Sequence, residues 1–358
     1  MLNVNKIKSA VLVAGVGLAM ISPSLVASTA KPSPTEPSKL IRNTPTPVGV
    51  SAKMASIIEN RQFAEAELEA PTSTEQWLEL QQLWNKGSAE LASQLADKLA
   101  LSYEKKAIAG VNTFVVTPDN IDSRYADRYF MHLHGGAFVF GGEESALREA
   151  MWVANGLNVK VISVDYRQPP LHPFPAAIDD AVAVWTEITR KQPANKTAIF
   201  GSSAGGNLTL TTTLRLKELG LDLPGALFAG TPATDLAHTT DTWHTLKGLD
   251  ALGSREGVID GTFEVYVPSG DLENPLVSPV YADLEGFPPT LLISGTRDLL
   301  LSDTVRMHRA LRAANVNADL HIYDGQSHGD YMMGLLYDLP ESDDALAELG
   351  SFFDTHLN

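Results

Sequence analysis

Residues 197–210 read TAIFGSSAGGNLTL. The first part, Thr197–Gly201, is a short apolar run of the kind that forms a strand buried on both faces. The part from Gly205 onward has helical character, with Asn207, Leu208 and Leu210 following the turn. Between them Gly201-Ser202-Ser203-Ala204-Gly205 fits the pattern G-x-S-x-G. A strand that reverses directly into a helix leaves no room for a nearby Cβ, so glycines flank the turn. The central residue is held strained, with its side chain exposed. Ser203 is therefore the candidate nucleophile, and the N-terminal dipole of the helix beginning beside it favours negative charge there. The same five residues could form a plain Gly/Ser turn; the strand before and the helix after favour the elbow.

Outward from this turn, strands and helices alternate. Candidate strands are 105–107, 112–117, 128–134, 160–165, 197–201, 225–230, 290–294 and 319–323, and candidate helices lie near 145–156, 176–191, 205–219, 302–314 and 343–356. The alternation predicts an α/β fold: an eight-stranded, mostly parallel sheet with helices on both faces. A turn at Gly110 predicts that the first two strands are antiparallel. About sixty residues without strand periodicity separate the strand ending near Gly230 from the one at Thr290, a length typical of a lid or cap over a site.

A nucleophilic serine needs an oxyanion site, a base and an orienting acid. His134-Gly135-Gly136-Ala137-Phe138 follows the strand at 128–134 directly. Its glycine pair lets the backbone turn so that the N–H groups of Gly135 and Gly136 face one point, with Ala204 supplying a third. Each such donor typically lowers an acyl-transfer barrier by roughly 3–4 kcal/mol. His134 reads as a loop-fixing residue. In this fold the order is Ser, Asp/Glu, His, and ligands bind at the carboxyl ends of parallel strands. Asp298 and His328 each follow a strand through a short loop, so they are the candidate acid and base. Asp303 and His308 fall in a helix, His321 in a strand and His356 at the terminus, which makes them weaker rivals.

The chain has 358 residues, 27 Lys+Arg against 43 Asp+Glu, a net charge of −16 and 44% hydrophobic residues. That is an ordinary globular balance with ample material for a core. The acidity argues against a nucleic-acid partner, because phosphate binding needs a basic surface. The chain has no cysteine, which excludes a thiolate nucleophile, a disulfide framework, an iron–sulfur cluster and a cysteine zinc site.

Residues 1–30 read as a signal peptide: Lys6 and Lys8, an apolar run from Ala10 to Ile21, Pro23, then small residues around Ala27 and Ala30. The run is too short to span a bilayer. The expected location is periplasmic or secreted, with no membrane association after cleavage; a retained anchor is the alternative. Residues 31–47, rich in Pro, Ser and Thr, read as a linker. Residues 48–101 read as helices, with Trp77, Leu80, Leu83 and Trp84 on one face and Leu91, Leu95 and Leu99 continuing it after a break near Gly87.

Taken together these motifs resemble the hormone-sensitive-lipase-like branch of α/β-hydrolase carboxylesterases. The resemblance covers roughly Lys105 to Leu357. It rests on His134–Phe138, Asp165-Tyr166-Arg167, His172-Pro173-Phe174-Pro175-Ala176-Ala177, Asp179-Asp180, Gly201–Leu208 and Ser278-Pro279. It implies Ser203 as nucleophile, His328 as base, Asp298 as its partner, and an oxyanion hole from Gly135, Gly136 and Ala204. It also implies a cap made from 48–101 and an insertion at 235–276, leaving 102–234 and 277–358 as the catalytic domain. The helical stripe would then wall a pocket, with Trp77, Trp84, Trp243 and Phe138 as candidate substrate-binding residues, although a tryptophan is more often core. Members often dimerise through the last strand and helix, so a homodimer is an expectation. The chain departs from the family at Ala137, where a third glycine is common, at Ser202, where Asp or Thr is usual, and at Gln168–His172, which lacks the usual glutamate.

The reaction implied is hydrolysis of a small-molecule carboxylic ester, short- to medium-chain, through an acyl-serine, with no metal and no cofactor. An amidase, a lactonase or an acyltransferase would use the same residues. A non-catalytic binding protein on this fold would typically lack one of the three.

Overall fold

A computed structural model describes residues 44–61 and 69–357. The expected signal peptide and most of the expected linker lie outside the described residues. The strands are β1 (Leu101–Ile108), β2 (Val111–Pro118), β3 (Tyr129–Leu133), β4 (Lys160–Val164), β5 (Ala198–Ser202), β6 (Ala226–Gly230), β7 (Thr290–Gly295) and β8 (Ala318–Tyr323). The helices, in chain order, are α1 (Ala52–Asn60), α2 (Thr74–Leu99), α3 (Leu147–Leu157), α4 (Ala176–Thr189), α5 (Ala204–Glu218), α6 (Asp241–Thr245), α7 (Val258–Tyr266), α8 (Leu301–Ala313), α9 (Gly334–Tyr337) and α10 (Pro340–His356).

The strands form one sheet in the order β1-β2-β4-β3-β5-β6-β7-β8. β1 pairs antiparallel with β2, and β2 with β4; the other neighbours are parallel. Side chains alternate across a strand, and the two halves of the core follow from that. Phe130, Phe200, Phe228 and Leu291 face one side, where Trp152 of α3 and Phe353 of α10 cover them. Met131, Ile199, Leu227 and Leu292 face the other, packed with Trp185 of α4, Leu208 of α5 and Met307 of α8. Both faces are covered, so the central strands read as continuous apolar runs.

Three details differ from the sequence reading. β1 begins at Leu101, not Lys105. Its residues 104–107 are exposed, so an edge strand held by its ladder to β2 shows little apolar signal. α2 runs unbroken for 26 residues through Gly87. Nothing lies within 4 Å of where a Gly87 Cβ would sit, so that residue costs only the ordinary glycine penalty and the helix continues. α10 begins at Pro340, earlier than Asp343, because a proline in the first turn lacks only an N–H that has no helical partner.

Between β6 and β7 lie α6 and α7. Ser278 pins the two ends of this segment together: its hydroxyl accepts from Leu236 N (2.8 Å) and donates to Leu272 O (2.7 Å). Among the described residues no helix is long and apolar enough to cross a membrane.

The turn from β5 into α5 sits hard against the end of β3. A Cβ on Gly201 would lie 2.1 Å, and one on Gly205 2.0 Å, from the Leu133 carbonyl oxygen. Two glycine-to-alanine variants should therefore move in opposite directions in urea unfolding. Gly205→Ala should lose about 1–3 kcal/mol, because backbone meets backbone and neither side can rotate away. Gly87→Ala should gain up to about 1 kcal/mol from helix propensity alone.

Candidate active site

Ser203 occupies φ 62°, ψ −124°, a conformation that a serine adopts only when its surroundings force it. The force is visible on both sides. Its N–H donates to Gly230 O on β6 (2.8 Å), while the flanking glycines press on β3. Beneath it, Ser202 is buried and its hydroxyl is hydrogen-bonded to Glu149 of α3 and to Tyr331. The Ser202 N–H also donates to Glu149 (3.1 Å). Gly230 has no room for a side chain because the Tyr331 hydroxyl fills that space. Ser203 itself is partly exposed, and its hydroxyl makes no hydrogen bond to a described residue.

His328 and Asp298 meet on the loops after β8 and β7. His328 Nδ1 lies 3.0 Å from Asp298 Oδ1. Asp298 is fully buried and accepts further hydrogen bonds from Leu300 N (2.9 Å), from Ser294 Oγ (2.6 Å) and from the Thr231 hydroxyl. Burial pushes against its charge. The adjacent His328 and the three hydroxyl and imidazole hydrogen bonds outweigh burial and hold its carboxyl below the usual range. Burial likewise opposes the imidazolium of His328, but the Asp298 charge and hydrogen bond, helped by Asp250 and Asp330, raise its pKa above the ordinary histidine value. Thr231 Oγ1 lies 2.9 Å from His328 Nδ1 as well, so one hydroxyl touches both partners. Thr231 directly follows β6, whose Gly230 carbonyl holds Ser203. The Ser203 turn and the His–Asp pair are thus joined through Gly230-Thr231.

The loop after β3 folds back on the elbow. A Cβ on Gly135 would lie 2.9 Å from Ser202 O and 3.4 Å from Ser203 Cβ. Gly136, at φ 117°, accepts at its carbonyl from Val139 N (3.1 Å) and Phe140 N (2.8 Å). The N–H groups of Gly135 and Gly136 donate to no acceptor among the described residues. Ala204 opens α5, where an N–H has no helical partner. Ala137 adopts φ 50°, in the left-handed region. His134 stacks on Tyr166 with ring centroids 4.0 Å apart, and Tyr166 Oη donates to His134 O (2.7 Å). Burial pushes the His134 imidazole down to about 3, so it stays neutral.

The aromatic candidates occupy different environments. Phe138 is buried and stacks on Tyr266 of α7 at 4.0 Å, which braces the glycine loop against the β6–β7 segment. Trp77 is buried in a small cluster with Val139 and Phe140, and Gly261 of α7 leaves space for its ring. Trp84 is half-buried and stacks on Phe140 at 5.0 Å. Trp243 is buried under the Arg255 guanidinium, its indole N–H unpartnered among the described residues. Gln168, at the site of the family departure, donates to Phe140 O (2.8 Å) and so supports the same loop.

The rival residues are committed elsewhere. Asp303 accepts from the N–H groups of Thr234 and Asp235 and from Thr240 Oγ1, and burial pushes its carboxyl up to about 7. His308 meets Ala318 O, His321 pairs with Glu348, and His356 lies near Asn317. Three neighbours of the His–Asp pair had no signal in the sequence reading: Thr231, Ser294 and Asp250. The first two sit at strand carboxyl ends, which is a usable clue; Asp250 lies in a segment without periodicity. Among the described residues no cluster of three or more His, Asp or Glu could hold a metal ion.

Comparison with known proteins gives a consistent answer. A family model described as the alpha/beta hydrolase fold matches residues 130–332. An esterase of Acinetobacter venetianus is 32% identical over 63% of this chain and 75% of its own length. An acetyl-hydrolase of Streptomyces hygroscopicus is 28% identical over 65% of this chain and 77% of its own. The crystal structure of an esterase superposes with a TM-score of 0.83 at 39% identity, covering 93% of this chain and 99% of that one. An esterase from the bacterial hormone-sensitive lipase family superposes with a TM-score of 0.74 at 26% identity, covering 86% and 99%. With its sheet order, its G-x-S-x-G elbow and these relatives, the chain belongs to the hormone-sensitive-lipase-like α/β-hydrolase family and is a carboxylester hydrolase.

Proposed function

We propose that the protein is a serine carboxylesterase in which Ser203, His328 and Asp298 act as nucleophile, base and orienting acid on short- to medium-chain esters. The observation that carries this reading is the His328–Asp298 hydrogen bond, connected to the strained Ser203 turn through Gly230-Thr231. In the proposed cycle Ser203 Oγ attacks the ester carbonyl while His328 Nε2 takes its proton. Asp298 keeps the proton of the imidazole on Nδ1 and stabilises the imidazolium. The N–H groups of Gly135, Gly136 and Ala204 receive the oxyanion. His328 then protonates the departing alcohol, and water repeats the sequence on the acyl-serine.

Helix α2 and the β6–β7 segment form the proposed cap over this centre. The aromatic cluster of Trp77, Trp84 and Phe140 beside the glycine loop favours a short acyl group, because it fills space with rigid rings. The name acetyl-hydrolase carried by the Streptomyces hygroscopicus relative points the same way. Export remains the reading of residues 1–30, supported by the Lys6/Lys8 and Ala10–Ile21 pattern.

Three results test the proposal. In a p-nitrophenyl ester series from acetate to palmitate, kcat/KM should peak at the short end; a maximum at palmitate would refute the chain-length assignment. Ser203→Ala should lower kcat on the order of 10⁴-fold or more, and Asp298→Asn by about 10⁴-fold, with folding preserved by circular dichroism. The pH dependence has a definite sign. The base must be neutral to accept a proton, and its folded pKa is raised, so kcat/KM should fall as pH drops through a single apparent pKa above the ordinary value of about 6.5. A kcat/KM without any acid limb between about pH 5 and 9 would remove His328 from the role.

A further inference from the structure

The β6–β7 segment inserts a second buried carboxylate between the two loops that carry Asp298 and His328. Asp250 is fully buried. Its Oδ2 accepts from the N–H of Leu299 (2.7 Å), next to Asp298, and from the N–H of His328 itself (3.2 Å). Its Oδ1 accepts from Leu252 N (2.6 Å), which closes a turn in its own segment. One oxygen therefore spans the loop after β7 and the loop after β8. The neighbouring residue adds a parallel tie: Ala251 N donates to Ser327 Oγ (2.7 Å).

We infer that Asp250 is a positioning residue for the esterase reaction, clasping the Asp298 and His328 loops to the β6–β7 segment and placing a second negative charge beside the His328 imidazole. This inference rests on the proposed roles of Ser203, His328 and Asp298.

Chemistry favours a carboxylate at this place. Three backbone N–H groups converge on it, and an anion accepts all three with a gain that a neutral amide cannot match. An asparagine offers one acceptor oxygen and turns an NH₂ donor toward N–H groups. Two consequences follow. The separation of the two loops, and with it the His328–Asp298 geometry, depends on how the β6–β7 segment is seated. The imidazolium formed during the reaction faces Asp298 from the β7 side, Asp250 from the inserted segment and Asp330 from its own loop. Asp330 is itself paired with Arg61, which follows α1; the one nitrogen Nη2 donates to Asp330 Oδ1 (2.8 Å) and Oδ2 (2.6 Å). All three raise the affinity of His328 for its proton, Asp298 the most. Burial and the nearby Asp298 charge push the Asp250 carboxyl itself up to about 6.

The test is the pH profile of kcat/KM and kcat on p-nitrophenyl acetate for the full chain, with Asp250→Asn and Ser327→Ala beside the wild type and rates normalised to sites titrated by a fluorophosphonate. Asp250→Asn should move the acid limb down by about one pH unit. It should also lower kcat about tenfold or more while KM stays within about twofold, since orientation is lost and binding is not. Ser327→Ala removes the neighbouring tie without changing charge and should leave the acid limb where the wild type has it. If Asp250→Asn misfolds in part, the site titration restricts the rates to folded enzyme. An acid limb and kcat unchanged in Asp250→Asn would overturn the inference while leaving the Ser203–His328–Asp298 reading intact. An equal shift in both variants would also overturn it, by tracing the effect to seating alone. A wild type without turnover would overturn that reading and this inference with it.

Discussion

The architecture depends on one close approach: the β5–α5 turn lies so near the end of β3 that positions 201 and 205 admit no side chain. Both would-be Cβ atoms fall within about 2 Å of the same Leu133 carbonyl oxygen. That contact fixes where Ser203 stands and forces its unusual backbone. It also sets the loop that follows Leu133, because Gly135 must then pass beside Ser203. Atoms packed at van der Waals limits cannot slide, so the relation between the serine and the glycine loop is a property of the backbone itself.

Around this fixed point the polar groups are arranged in two buried chains. One runs beneath the serine through Ser202, Glu149 and Tyr331, joining β5, α3 and the loop after His328. The other runs through Thr231, Asp298, Ser294 and His328 across three strand ends. Each buried carboxylate is met by several donors, which is what makes a charge tolerable away from water. The segment between β6 and β7 is pinned at its base by Ser278 and tied to the loop after β7 by Asp250.

Much of this was legible from residue order. The strand–turn–helix around Ser203, the glycine pair after His134 and the positions of Asp298 and His328 behind strands follow from short-range patterns. Local chemistry dictates such patterns, so they survive in a linear reading. The shortfalls have equally local causes. β1 is longer than its apolar signal because an edge strand draws on its ladder more than on burial. Gly87 does not interrupt α2 because its cost is small against a helix packed along its length. The candidate aromatics separated only in three dimensions. Phe138 and Trp77 are closed in by α7, whereas Trp84 stays half-exposed.

Sequence by itself determined the fold class, the family and the order of the candidate reactive residues, since each rests on periodicity or on motifs a few residues long. Tertiary structure alone decided that Thr231 touches both His328 and Asp298, that Gln168 supports the glycine loop, and that Asp250 bridges two loops far from it in the chain. The Gln168 and Asp250 contacts run from side chains to backbone carbonyl and N–H groups. Every residue carries such groups, so no sequence pattern marks the ones that will be met, and only the folded backbone brings them within hydrogen-bonding distance.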